Sequence, residues 1–135
     1  MEQLLKDCTS KLKMHSSAHP NGKCVLWTGC KNKKGYGQFR YRDPRDASSA
    51  GHKTRTAHRV ALMVHIADFD VPASLQASHL CNNKLCINVD HLVFESCKIN
   101  NERKNCFSYF RCTGHEDTNN GGSSPDCIIE LSDLS

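Results

Sequence analysis

Cys81, Cys86 and His91 stand at equal intervals, in the pattern Cys81-x4-Cys86-x4-His91. Thiolate sulfurs and an imidazole at such short spacing suit a tetrahedral Zn²⁺. Buried cysteines acting as small hydrophobes are the competing reading. The intervening Asn82, Asn83, Lys84, Asn88 and Asp90 are too polar for a core segment. Three ligands need a fourth, and Cys24 is the first choice with Cys30 behind it. A second group follows, Cys106-x5-Cys112-x2-His115-x11-Cys127, again three Cys and one His. The tail that holds it is rich in Gly, Ser and Asn, and a metal clip would order it. Both sites are expected to be structural zinc sites with every position filled by protein. Cys8, Cys30 and Cys97 are then core or inert thiols.

His79 stands two residues before Cys81, too close to join the same tetrahedron easily. A metal staple beside it would fix its backbone. An imidazole with an unperturbed pKa of about 6.5 can take up a proton at neutral pH. The charge distribution points to a class of partner. Residues 11–60 hold twelve Lys/Arg against Asp43 and Asp46, a local net of +10. Residues 107–135 hold Arg111 against Glu116, Asp117, Asp126, Glu130 and Asp133, a net of −4. So lopsided a segment favours a polyanion, and nucleic acid before others.

Length and composition suit one soluble domain over 1–135, with 24% charged and 38% hydrophobic residues. Nine cysteines swell the hydrophobic count, while five Phe and one Trp make a thin core. Metal is therefore expected to help hold the fold. An odd cysteine number rules out a complete internal disulfide set. The first residues carry no secretory apolar region, and the longest apolar run, 60–64, is far too short for a membrane. Reduced thiolates inside a cell are expected, in the nucleus if the host is eukaryotic.

These side chains need elements to place them. Residues 2–14 read as an amphipathic helix, with Leu4, Leu5, Cys8, Leu12 and Met14 near one face. Residues 15–22 read as a polar connector. A short strand over 24–27 precedes a basic turn holding Lys33 and Lys34. Residues 36–42 alternate: Tyr36, Gln38, Arg40 and Arg42 one way, Gly37, Phe39 and Tyr41 the other. Lys53 and Arg55 lie on a return strand over 53–57. A two-stranded ribbon with a cationic face of Gln38, Arg40, Arg42, Lys53 and Arg55 fits a DNA major groove. A short apolar helix over 58–67, a strand over 75–80, an irregular loop over 81–90, a strand over 91–95 and a helix from Ser96 to about 105 complete the order. The fold class is α+β: a small zinc-stabilised domain with short antiparallel sheets. Its parts are an N-terminal helix and connector (1–22), a basic ribbon and helix (23–75), a core with the first zinc (76–106), and the second zinc and tail (106–135).

The run Ser78-His79-Leu80-Cys81-x4-Cys86-x4-His91-Leu92, then Glu95-Ser96, Asn100 and Arg103-Lys104-Asn105-Cys106, resembles the Cys-His box homing endonucleases, which are His-Me finger (ββα-metal) nucleases. The likeness is dense over 76–106. It thins to Cys106–Cys127 and to Cys24, Tyr36-Gly37 and His58-Arg59 upstream. The upstream residues also look like phage-type HNH endonucleases. The resemblance implies a metal-dependent endonuclease cutting double-stranded DNA as a homodimer. It implies His79 as general base and Asn100 as the protein ligand of one catalytic Mg²⁺. It implies Cys24, Cys81, Cys86 and His91 on one zinc, and Cys106, Cys112, His115 and Cys127 on another. A basic ribbon residue touches the phosphate in that family, with Arg40 and Arg55 as candidates. The second spacing is looser than the family pattern and the end after Cys127 is short, so docking on a twofold mate falls to Ile128-Ile129 and Leu131, which could equally pack on their own domain. A nicking or weakly specific nuclease, a zinc-bound DNA-binding module without catalysis and a zinc-held protein-interaction domain are the competing functions.

Overall fold

The computed structural model describes residues 2–20, 22–45, 52–109, 111–112, 114–117 and 122–128. Ile129 and Leu131, on which dimer docking rested, lie outside them, as does most of the loop between the two ribbon strands. The architecture is small α+β, with three α-helices and four two-stranded antiparallel sheets among the described residues.

Helix α1 spans Glu2–Met14 and buries Leu4 and Cys8. Helix α2 spans Ala57–Ile66 and is apolar on nearly every side, burying Val60, Ala61, Leu62 and Met63. A helix apolar all round must lie at the centre of its domain. α2 accordingly packs on α1 and on the strands either side of it in sequence. It ends at Ala67, left-handed at φ 56°, whose N–H closes onto the carbonyls of Met63 and Val64. Trp27, Phe39 and Phe69 fill the space around it. Gly37 leaves the Trp27 ring its room, since a Cβ there would come within 2.5 Å of the ring.

Strands β1 (Ser16–Ala18) and β2 (Val25–Trp27) pair. The sequence reads 15–22 as a connector because Ser-Ser-Ala has no alternation; pairing with β2 makes it a strand. β2 also receives the loop after Cys81. The N–H of Ile87 donates to Val25 O at 2.7 Å, and the N–H of Trp27 donates to Leu85 O at 2.8 Å. This pairing brings Cys24 to a loop distant in sequence. The loop closes in a single 3-10 turn, Val89–His91, capped by the Asn88 side chain accepting from the N–H of Asp90.

The ribbon is β3 (Gln38–Arg42) with β4 (His52–Thr56). Its register corrects the single cationic face. Phe39 stands opposite Arg55 and Tyr41 opposite Lys53. Residues directly opposite share a face. Lys53 and Arg55 therefore lie on the side of buried Phe39, and Gln38, Arg40 and Arg42 on the exposed side with Thr54 and Thr56.

Strand β5 (Gln76–His79) pairs with β6 (Leu92–Glu95), and helix α3 (Cys97–Tyr109) follows. α3 runs past the expected 105 and so carries Cys106 on its last turns. In the tail, β7 (His115–Asp117) pairs with β8 (Gly122–Ser124).

Candidate active site

The first metal cluster is Cys24, Cys81, Cys86 and His91, with one ligand atom from each within 4.8 Å of the others. His91 Nδ1 lies 3.5 Å from Cys24 Sγ and 3.6 Å from Cys86 Sγ. A tetrahedron with Zn–S near 2.3 Å and Zn–N near 2.05 Å sets sulfur and nitrogen roughly 3.5 Å apart. Cys24 thus completes the donor set, and Cys30 stays exposed outside the cluster. Cys86 is held below the ordinary thiol range by hydrogen bonds from Cys81 and from backbone donors. Cys81 is pushed above it by Cys86 and by burial. A cation is what allows both sulfurs to ionise together.

The second cluster is Cys106, Cys112, His115 and Cys127. His115 Nε2 lies 3.5, 3.4 and 3.3 Å from the three sulfurs in that order. Its other nitrogen, Nδ1, lies 3.2 Å from Glu102 Oε1. A carboxylate behind a ligating imidazole fixes the ring and its tautomer. Both donor sets fit zinc as structural sites.

His79 and Asn100 both line a cleft of about 730 Å³. His79 ends β5, and its Nε2 lies 3.0 Å from the carbonyl oxygen of Cys86. A carbonyl only accepts, so Nε2 carries the proton and Nδ1 keeps its lone pair. Burial lowers the ring's pKa to about 4, against the smaller raising effect of that carbonyl. The His58 ring lies 4.0 Å away, centroid to centroid, and donates through Nε2 to Ala77 O at 2.9 Å. Burial, and His79 beside it, bring His58 down to about 3. The two rings, tilted by 38°, can lie this close because both are neutral. Tyr36 lies parallel to His79 at 6.0 Å.

Asn100 projects from α3 and donates through Nδ2 to Gln76 Oε1 at 2.7 Å. That bond consumes an amide hydrogen and leaves the carbonyl oxygen as a hard donor. One such oxygen suits Mg²⁺, which keeps most of its waters and takes few protein ligands.

Neither Arg40 nor Arg55 reaches the cleft. Arg40 is on the outer ribbon face, and Arg55 lines a separate cavity of about 380 Å³ with Tyr41 and Phe69. The cations lining the cleft are Lys34, Arg59, Lys84, Arg103 and Lys104, and among the described residues no Asp or Glu joins them. Arg59 is spent on the carbonyls of Leu75, Val71 and Pro72. Arg103 is spent on Glu95, at 2.6 Å. Lys84 sits over the Tyr36 ring at 5.2 Å and donates to Lys34 O. Of these five the sequence offered only Lys34 as a DNA contact. Lys84 was concealed inside the metal loop and Lys104 on a helix whose facing depends on tertiary packing. Lys33, Gln38 and Arg42 are exposed outside the cleft, and Lys53 shares the Arg55 cavity.

Glu95 and Arg103 are both fully buried. Burial alone would raise the Glu95 carboxyl, but the Arg103 fork and the Ser124 hydroxyl hold it below its usual range.

Among curated proteins, Protein 7.7 of Escherichia phage T7 is 33% identical over 82 residues. The match covers 58% of this chain and 52% of the phage protein, so the chain spans about half the length of that relative. No solved structure gives a significant match. The family described as the zinc-binding loop region of homing endonuclease matches residues 23–135. With its two three-Cys, one-His clusters and a family match over most of its length, the chain belongs to the homing-endonuclease zinc-binding-loop family.

Proposed function

We propose that the protein is a Mg²⁺-dependent endonuclease that hydrolyses phosphodiester bonds of double-stranded DNA at a chosen sequence. The observation that supports it best is the cleft shared by His79 and Asn100, with the His79 proton committed to Cys86 O. In this reading His79 Nδ1 takes the proton of the attacking water, and Nε2–H keeps the ring oriented throughout. The Asn100 oxygen holds the metal. When bound, a hard cation neutralises charge on the phosphate and the departing oxygen. Lys34, Lys84 and Lys104 hold the backbone on either side, replacing Arg40 and Arg55 as phosphate contacts. Gln38, Arg40 and Arg42 on the exposed ribbon face, with Lys33 at its turn, are the groove-reading set. Lys53 and Arg55 fall out of that set because they face the other way.

Cutting both strands at one site calls for two such clefts, so the working unit is a homodimer. No helix among the described residues is long and apolar enough to cross a membrane.

The test is incubation with a supercoiled plasmid library and Mg²⁺, with EDTA as control, followed by sequencing of the cut ends. Linear products with a shared end sequence support a double-strand-cutting homing enzyme. Nicked circles reduce the reading to a nicking enzyme. Salt-sensitive DNA binding with no cleavage in any divalent cation leaves a zinc-bound DNA-binding module.

A further inference from the structure

We propose that Arg103 is a positioning residue, which couples closure of the second metal cluster to the placement of Asn100 against the His79 strand. The catalytic consequence rests on the reading of Asn100 given above; the positioning itself does not.

Arg103 follows Asn100 by three residues on α3, hence on the same helix face. Its Nε donates to Glu95 Oε2 at 2.6 Å and its Nη2 to Oε1 at 2.8 Å. An apolar pair of equal volume would join β6 to α3 at least as well as a buried ion pair. What the guanidinium adds is its remaining donors. Nη1 donates to Cys127 Sγ at 3.2 Å and Nη2 to Pro125 O at 2.8 Å. The Ser124 hydroxyl meanwhile donates to Glu95 Oε1 at 2.8 Å. All these partners lie in residues 124–127, the stretch that Cys127 ties to the second cluster. One residue on, the N–H of Ile128 donates to Leu80 O at 2.7 Å, directly after His79.

The strap thus touches α3 through Arg103, the end of β6 through Glu95, and the end of the His79 strand through Leu80. It bridges the element that carries Asn100 and the one that carries His79. An N–H on a ligand sulfur is the kind of outer contact that orients metal ligands. Here it also lets a side chain that lines the cleft sense whether the ligand is in place. Were the strap to open, Arg103 would lose its acceptors at Cys127 and Pro125, with the cleft as the nearest polar space.

The experiment compares the full-length wild type with Arg103→Lys, which keeps the charge and loses the fork. The readout is the Asn100 side-chain amide by NMR, which reports its bond to Gln76 without DNA or Mg²⁺. Zinc content is measured alongside. The expected result is two zinc ions per chain, a displaced Asn100 amide resonance and at least tenfold faster exchange with water. Should Arg103→Lys not fold, the double variant Glu95→Leu/Arg103→Met removes the pair as an apolar swap and is expected to give the same amide shift. Cys127→Ser, which opens the strap from its other end, should give that shift too, and combining it with Arg103→Lys should add nothing. An unmoved Asn100 amide in the folded Arg103 variant, or shifts that add in the combination, overturns the proposal. The Mg²⁺ concentration for half-maximal plasmid cleavage should rise at least tenfold in parallel. If the amide moves while cleavage does not, the positioning role stands and the catalytic role of Asn100 falls.

Discussion

The imidazole of His79 donates its only N–H to the carbonyl oxygen of Cys86, itself a ligand of the first metal cluster, at 3.0 Å. A metal held by that cluster would therefore share one residue, Cys86, with the carbonyl that fixes the candidate base. The two share no ligand, so losing the imidazole spares the cluster, whereas losing the cluster frees the imidazole.

His79→Ala should keep two zinc ions per chain and ordinary DNA affinity. Cleavage should fall by about 10²–10⁴-fold, the usual contribution of a positioned general base. Plasmid cleavage and elemental analysis on one preparation measure both. Near-normal cutting would remove His79 from the reaction.

Cys81→Ala should prevent the domain from folding. Structural zinc supplies on the order of 10 kcal/mol to small domains of this kind. Prolonged chelation of the wild type should act likewise. Circular dichroism melting decides it, and an unchanged curve would show that the first cluster carries no folding energy.

The pH profile has a definite sign. Burial lowers the His79 pKa to about 4, so the ring is neutral, and able to accept a proton, above that pH. Activity is lost as pH falls through about 4. An ordinary imidazole of pKa about 6.5 would already be mostly protonated at pH 5.5. Single-turnover cleavage at pH 5.5 should thus retain most of its neutral rate. A halving near pH 6.5 would contradict the shifted value.

The two ribbon faces separate by salt dependence. Arg40→Ala should weaken DNA binding and flatten its salt dependence, since one cation fewer faces the duplex. Arg55→Ala, on the Phe39 side, should leave the slope alone. Lys84→Ala and Lys104→Ala should raise KM more than they lower kcat. Equal slopes for Arg40→Ala and Arg55→Ala would sink the facing argument.

Short-range chemistry was legible in the sequence, and long-range pairing was not. Ligand types and intervals announced Cys81, Cys86 and His91 and the group from Cys106 to Cys127, while the choice of Cys24 over Cys30 stayed open; the apolar spacing of Leu4, Cys8 and Leu12 announced α1. Alternation placed Phe39 inward. The facing of Arg55 could not be read, because its own strand has no strong alternation and only the register against β3 decides it. β1 was invisible for a related reason, since Ser-Ser-Ala takes its structure from β2. The Glu95–Arg103 pair could not be read, because it forms only where β6, α3 and the tail meet.

The two clusters also differ in how far apart their ligands stand along the chain, and so in what each costs to close. The ligands of the first cluster run from Cys24 to His91, 67 residues apart, whereas those of the second run from Cys106 to Cys127, 127 − 106 = 21 apart. Closing the longer loop costs about 1 kcal/mol more in chain entropy, by the logarithmic rule. It also waits for α2 and the ribbon between those residues to collapse. On a ribosome, a chain that has not yet exposed His91 already carries its whole basic ribbon but no anchored imidazole. In the proposed reading, the anchored base therefore arrives after the charge that would draw the chain to nucleic acid.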